Sequence, residues 1–248
     1  MKFIKYPFYI FLRIWFYLMM GWPLIIFAPI LIILTLKQSW YPAFFKLARF
    51  WGILVLFTSG FIPFRKNGVF NKPGESFMII ANHTSMLDVM LMLHTIKNPF
   101  VFVGKKELSK IPVFGFFYKR TCILVDRNNS KSRREVFEQA EARIKQGLSI
   151  CIFPEGGVPE DETVVLDSFK DGAFRLAIEH RLPVLPLLFP DNKKRFSYTF
   201  LSGSVGKTRS YILSIVTTND LKLTDKATLK QKLYTIMHKN LLKLKEIS

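Results

Sequence analysis

The sequence predicts an α/β fold: a largely parallel sheet flanked by helices and preceded by membrane-embedded or interfacial N-terminal helices. Two observations carry that prediction. Residues 14–36 contain no charge, IWFYLMMGWPLIIFAPILIILTL, and about 20 apolar residues suffice to cross the hydrocarbon of a bilayer. Beyond Lys66 the pattern changes to short apolar runs alternating with amphipathic stretches, the mark of βα units and a parallel sheet. The change divides the chain into a membrane-associating helical segment, residues 1–66, and an α/β domain, residues 67–248. At 248 residues the chain is long enough for a substantial core.

The N-terminal run does not read as one straight helix. Gly21-Trp22-Pro23 and Pro29 interrupt it, and proline removes an amide donor and kinks the backbone. A second greasy stretch, residues 51–64, is short for a span and contains Ser59-Gly60 and Pro63. Lys2, Lys5, Arg13, Lys37, Lys46, Arg49, Arg65 and Lys66 flank these stretches on every side, so charge gives no inside–outside asymmetry. A kinked or re-entrant pair of membrane-dipping helices is expected rather than a clean single span. A cleavable leader fits poorly, because the apolar run is too long and no small-residue site follows it.

Composition points the same way. Half the residues are apolar, 25 are phenylalanine, and the formal net charge is +18. A greasy cation suits an anionic membrane surface. Nucleic acid, the competing polyanion, asks for basic residues interleaved with exposed aromatics or a recognisable module. Here the aromatics concentrate in the N-terminal stretches, so no nucleic-acid partner is expected; a non-catalytic basic membrane adaptor is the alternative from outside enzymology. Cys122 and Cys151 both lie in apolar runs and read as buried, reduced core residues. Two cysteines make no disulfide framework, and no Cys/His spacing suggests a metal site.

Within the α/β domain, strands are expected at 77–81, 100–103, 122–125, 149–153 and 184–188. The clearest helix spans 130–146, opened by Asn129/Ser130 and closed by Gly147; another spans 172–180. After Pro190 the chain reads as basic and β-rich (RFSYTF, SYILSIV). It ends in an amphipathic helix with Leu229, Leu233, Ile236, Met237, Leu241 and Leu244 at helical spacing. Gly203-Ser204-Val205-Gly206-Lys207-Thr208 ends like a phosphate-binding loop, but Leu201 stands where the motif needs glycine and a strand follows instead of a helix.

The chemistry-bearing residues fall at strand ends. In IIANHTSMLD, His83 follows an apolar run and Asp88 comes five residues later. On one helix the two would point about 140° apart, so they meet only if His83 precedes the helix and Asp88 lies in its first turn. Ser85-Met86-Leu87-Asp88 has capping-box spacing, which supports that arrangement. The same spacing also has a purely structural reading, with Asp88 complementing the positive helix end. Asp126-Arg127, Phe153-Pro154-Glu155-Gly156-Gly157 and Leu182-Pro183-Val184-Leu185-Pro186 follow, and ligands of open α/β sheets bind outside the carboxyl ends of strands.

Asn82-His83-x4-Asp88, then Asp126-Arg127, then Phe153-Pro154-Glu155-Gly156, then Leu182-Pro183-Val184-Leu185-Pro186 resembles the four motif blocks of the glycerolipid acyltransferases, the 1-acylglycerol-3-phosphate (lysophosphatidic acid) branch above all. The resemblance covers roughly residues 75–190, including Gly104-Lys105-Lys106-Glu107-Leu108 and Ile111-Pro112-Val113-Phe114-Gly115. It implies acyl transfer from the thioester of acyl-CoA or acyl carrier protein to the free hydroxyl of lysophosphatidic acid, giving phosphatidic acid in phospholipid biosynthesis. A different lyso-lipid, such as a lyso-aminolipid, or glycerol-3-phosphate is the alternative acceptor. His83 would be the base and Asp88 its partner. Asn82, Lys105, Arg127, Glu155, Gly156, Gly157, Lys170 and Pro183 would form the substrate site. No permanently bound cofactor and no metal are implied, and the expected place is the cytoplasmic face of the cell (inner) membrane. The third block departs from the family, which usually continues Phe-Pro-Glu-Gly with Thr-Arg-Ser; here it reads Gly157-Val158-Pro159. The usual arginine is missing, and Lys170 and Arg175 are candidates to supply its charge.

Overall fold

A computed structural model of the protein describes residues 6–126 and 129–246. In chain order the elements are α1 (Tyr6–Ile26), α2 (Ala28–Leu34), α3 (Tyr41–Thr58), β1 (Phe61–Arg65), β2 (Met78–Ala81), α4 (Leu87–Thr95), β3 (Phe100–Lys105), α5 (Phe114–Thr121), β4 (Ile123–Val125), α6 (Ser130–Ile144), β5 (Ser149–Ile152), α7 (Gly172–Glu179), β6 (Val184–Leu188), α8 (Asn192–Phe196), β7 (Gly206–Ile212) and α9 (Lys226–Glu246), with short 3-10 turns between some of them. The chain forms two compact units. The first takes residues up to Val69, Thr84–Lys97 and Phe189–Ser210; the second takes Phe70–His83, Asn98–Leu188 and the chain from Tyr211.

The second unit is built on a parallel sheet. β2 pairs with β5 on one side and β6 on the other, β5 pairs with β3, and β3 with β4, all in parallel. Every residue of β2 and β6 is buried. Strands covered on both faces read as continuous apolar runs, here MIIA and VLPLL, instead of alternating. The register sets Ile80 beside Ile152 and Pro186, so the segments after β2 and β5 leave the sheet side by side. Asn129 opens α6 as the sequence indicates, its side-chain oxygen accepting from the amides of Lys131 (2.9 Å) and Ser132 (3.2 Å). Helix α9 packs on α7 and β6 and buries Leu229, Leu233, Met237 and Leu241, one side chain per turn. At β3, Gly104 admits Tyr118: a Cβ there would lie 1.9 Å from the phenol oxygen, which donates to the Lys105 carbonyl at 3.2 Å.

The first unit is mostly helical. α1, α2 and α3 pack together, and α3 packs along α4. Arg49 of α3 donates to the carbonyls of Leu93 (2.9 Å) and His94 (3.4 Å), and Arg65 donates to that of His94 (3.2 Å), so two guanidiniums close the end of α4. Fully buried Phe16, Phe61 and Phe196 form an aromatic cluster with centroids 4.4 to 6.2 Å apart. β1 pairs in parallel with Gly206–Ser210 of β7. In the second unit, Tyr211 and Ile212 pair antiparallel with Leu188 and Leu187 of β6. The architecture is the expected mixed α/β fold with a mostly parallel sheet and apolar N-terminal helices.

Several boundaries differ from the sequence reading, each for a local reason. Pro23 lies inside α1 and the helix breaks at Phe27; Pro29 lies in the first turn of α2, where its missing N–H is no loss. The greasy stretch 51–64 is not one segment. Its first part ends α3, Gly60 turns the chain with φ +78°, and β1 follows. The second helix therefore begins earlier than expected, and Lys46 and Arg49 lie within it instead of flanking it. Tyr6–Ile26 and Gln38–Thr58 are each 21 residues long and apolar enough to cross a membrane. RFSYTF ends α8 and continues as irregular chain, not as a strand; Gly206-Lys207-Thr208 opens β7, so the phosphate-loop resemblance has no helix behind it.

Candidate active site

Four parallel strands of the second unit bring site residues to one edge of its sheet. β2 delivers Asn82 and His83, β5 delivers Phe153-Pro154-Glu155, β3 ends on Lys105, and β4 runs into Asp126. Arg127, which follows Asp126, lies outside the described residues. Asn82 is buried, with 1 % of its surface exposed, and His83 is half-buried.

His83 is held at its backbone and at its ring. Its backbone N–H donates to Glu155 Oε1 at 2.6 Å, and its ring stacks on Phe153 with centroids 4.2 Å apart and planes 15° from parallel. Phe102 extends the stack beyond Phe153, 6.2 Å away. Glu155 is 3 % exposed, and its second oxygen accepts from the Asp167 amide at 2.8 Å. A buried carboxylate needs such partners, and this one ties the loop after β5 to the backbone of the histidine. Gly156, at φ +83°, turns that loop, and its amide closes on the Phe153 carbonyl at 3.1 Å; Gly157 follows half-buried.

The remaining expected residues separate. The Lys170 amide donates to the Pro154 carbonyl at 2.8 Å, which brings an exposed lysine to the glycine turn that lacks the family's arginine. The Arg175 guanidinium instead reaches Glu179 at 2.7 Å and lies over the Phe137 ring. Pro183 stands before β6, at the opposite edge of the sheet from His83, where its carbonyl accepts from the Met78 amide at 3.0 Å. The fourth block thus precedes and forms a strand and does not follow one.

In the first unit, Asp88 sits in the opening turn of α4, fully buried. Its Oδ2 accepts from the amides of Thr84 (2.6 Å) and Ser85 (2.8 Å), and Ser85 Oγ accepts from the Leu87 amide at 3.1 Å. Asp88 bonds the Ser85 amide as in a capping box, but the Ser85 hydroxyl takes the Leu87 amide and not that of Asp88, so the box is only half formed. The other carboxylate oxygen accepts from Asn192 Nδ2 at 2.8 Å, and Asn192 is fully buried. No sequence signal points to that residue: it lies 104 positions from its partner and belongs to no block. The chain passes from one unit to the other at the His83–Thr84 peptide bond.

Burial pushes the Cys122 thiol up to about 12, and Cys151 well above its ordinary value by the same cause. Cys151 is a buried core residue, as expected, whereas Cys122 is half-buried; both thiols are unsuited to nucleophilic work at neutral pH.

Comparison with known proteins places the chain in a class. Residues 64–189 match the family described as acyltransferase, and the chain belongs to that family. A probable 1-acyl-sn-glycerol-3-phosphate acyltransferase of Mycoplasma pneumoniae is 28% identical over 161 residues, covering 59% of this chain and 57% of the relative. The Escherichia coli (strain K12) 1-acyl-sn-glycerol-3-phosphate acyltransferase is 37% identical over 110 residues, 44% of each chain. That of Cocos nucifera is 36% identical over 111 residues, 44% of this chain and 35% of its own. The matched part spans between a third and three-fifths of these relatives. The crystal structure of the 1-acyl-sn-glycerophosphate (LPA) acyltransferase from Thermotoga maritima superimposes with a TM-score of 0.78 over 99% of this chain and 98% of that one, at 19% identity, which shows a shared fold.

Proposed function

We propose that the protein transfers a fatty acyl group from a thioester, acyl-CoA or acyl carrier protein, to the free hydroxyl of lysophosphatidic acid, giving phosphatidic acid. The observation that carries the reading is the placing of His83. A half-buried imidazole stands past the end of a parallel strand, held by its own amide on buried Glu155 and by its ring on Phe153. Such anchoring suits a group that must meet a hydroxyl in one orientation.

In this mechanism the lipid hydroxyl attacks the thioester carbonyl while the His83 imidazole takes its proton. Asp88, the acid of the same Asn-His-x4-Asp block, is the partner that the resemblance assigns to this base. Collapse of the tetrahedral intermediate breaks the carbon–sulfur bond, and the imidazolium returns the proton to the departing sulfur. No protein nucleophile is needed. Lys105 at the end of β3, Lys170 beside the Glu155 turn, and Arg127 grip the acceptor phosphate, arginine best because its planar fork bonds two oxygens. Asn82, Gly156 and Gly157 shape the surrounding turns.

The missing third-block arginine favours a second acceptor that carries no phosphate, a lyso-aminolipid; glycerol-3-phosphate is the other alternative acceptor. Purified protein is offered lysophosphatidic acid, a phosphate-free lyso-lipid and glycerol-3-phosphate, each with acyl-CoA and acyl carrier protein, and products are identified by mass spectrometry. Phosphatidic acid as the main product supports the first reading, and acylation of another acceptor supports the second. Absence of any acyl product with every pair would sink both.

The two long apolar helices and the +18 charge support attachment to an anionic membrane through residues 1–66; the cytoplasmic face of the inner membrane is the side proposed with it. Exposed Leu108, Ile111, Val113 and Phe116, beside exposed Lys106 and Lys110, fit such a surface too.

A further inference from the structure

Arg13 is the only charged residue between Tyr6 and Leu36, and it is 5 % exposed. Among the described residues its guanidinium meets no carboxylate. It donates instead to the carbonyls of Phe200 (2.7 Å), Ser197 (2.7 Å) and Thr199 (2.5 Å), and lies over the rings of Phe196 and Phe200, 4.6 and 5.5 Å from their centroids. A buried cation is costly, and an apolar side chain of similar length would fill the same space more cheaply. The arginine therefore needs a reason, and its partners supply one: it collects the carbonyls of the turn directly after α8.

Helix α8 is short and held at both ends. At its far end the Phe196 ring packs on Phe16 of α1 at 4.4 Å, and the Phe196 carbonyl accepts from Ser85 Oγ at 2.5 Å. Before its first residue, Asp191 takes a bidentate bond from Arg209, at 2.6 and 2.8 Å. Between these fixings Asn192 points its amide nitrogen at Asp88, and its amide oxygen is buried with no partner among the described residues. Packing alone does not explain a side chain that leaves a buried acceptor unsatisfied. Delivering one hydrogen bond to the Asp88 carboxylate does.

We propose that Asn192 is a positioning residue for Asp88, and that Arg13 sets Asn192 through α8, so that helix α1 tunes the catalytic carboxylate as well as anchoring the chain. The inference rests on the acyl-transfer reading above and deepens it. It is tested with the full chain in detergent micelles, using acyl-CoA and lysophosphatidic acid and normalising to folded protein by circular dichroism. Asn192→Ala is expected to lower kcat about 10- to 100-fold, the range for a lost bond to a charged group, with KM within about twofold. Arg13→Met lowers kcat less, and Arg13→Lys, which keeps the charge without the fork, falls between Arg13→Met and the unchanged protein. The double variant Arg13→Met/Asn192→Ala is no worse than Asn192→Ala alone, the non-additivity of two residues acting on one target. Asn192→Asp keeps the shape but sets a second carboxyl beside Asp88, where one of the two must take a proton; its kcat–pH profile is displaced from that of the unchanged protein. Should Asn192→Ala not fold, the cycle of Arg13→Met with Asn192→Asp decides instead. Unchanged kcat and pH profile, or losses that multiply in the double variant, overturn the proposal. His83→Ala distinguishes its failure from that of the underlying reading: activity retained by His83→Ala sinks the reading, whereas an inactive His83→Ala beside indifferent Asn192 and Arg13 variants sinks this inference only.

Discussion

Glu155 satisfies two backbone amides with one buried carboxylate. Glutamine in its place can accept from only one of them, because its NH2 would face the other N–H. Glu155→Gln should therefore destabilise the protein by about 1–3 kcal/mol and lower kcat, read by denaturant unfolding and acyl-transfer rate; full stability with full activity would remove Glu155 from the site. His94 gives a different handle. Burial, then Arg65 and Arg49, push its imidazole down to about 4, against about 6.5 in an unfolded chain. Between those values the unfolded chain takes up a proton that the folded chain refuses, so stability falls as pH drops from about 6.5 to 4, and this group adds nothing further below. His94→Leu should lose less stability than the unchanged protein between pH 7 and pH 5. His83, Glu155 and Asp88 were legible because each stands at a strand end or helix start whose pattern is local. Asn192 was not, because its meaning lies in one contact across the chain.

At the scale of elements, continuous apolar runs identified β2 and β6 to within a residue, and the Asn129 cap identified α6. β1 and the start of α3 were obscured by a shared cause: helix, turn and strand there are all apolar, and periodicity alone does not divide them. The charges within α3 also looked like boundaries, since nothing in the sequence shows that Arg49 is satisfied by carbonyls of α4. Pro183 shows the reverse case, a block whose residues were evident while its place at the start of the strand was not. Gly104 offers the element-scale prediction. Gly104→Ala forces Tyr118 from its place against β3 and should cost about 1–3 kcal/mol, as overpacking does. Adding Tyr118→Phe, which removes the clashing oxygen, should restore part of the loss in thermal unfolding.

For the whole molecule, cationic charge and apolar helices act on the same partner in separable ways. Binding to anionic vesicles should weaken as salt rises, while a salt-resistant part persists from apolar insertion. Flotation with anionic and zwitterionic vesicles over a salt series reads both, and salt-independent binding to the anionic vesicles, no tighter than to the zwitterionic ones, would remove the electrostatic part. Base catalysis by His83 is read from the initial rate of acyl transfer by purified His83→Ala compared with the unchanged protein, both shown to be folded and vesicle-bound. Loss of a general base predicts a rate lower by about 10²–10⁴ with vesicle binding intact; a His83→Ala protein that transfers acyl groups at the full rate would contradict the account.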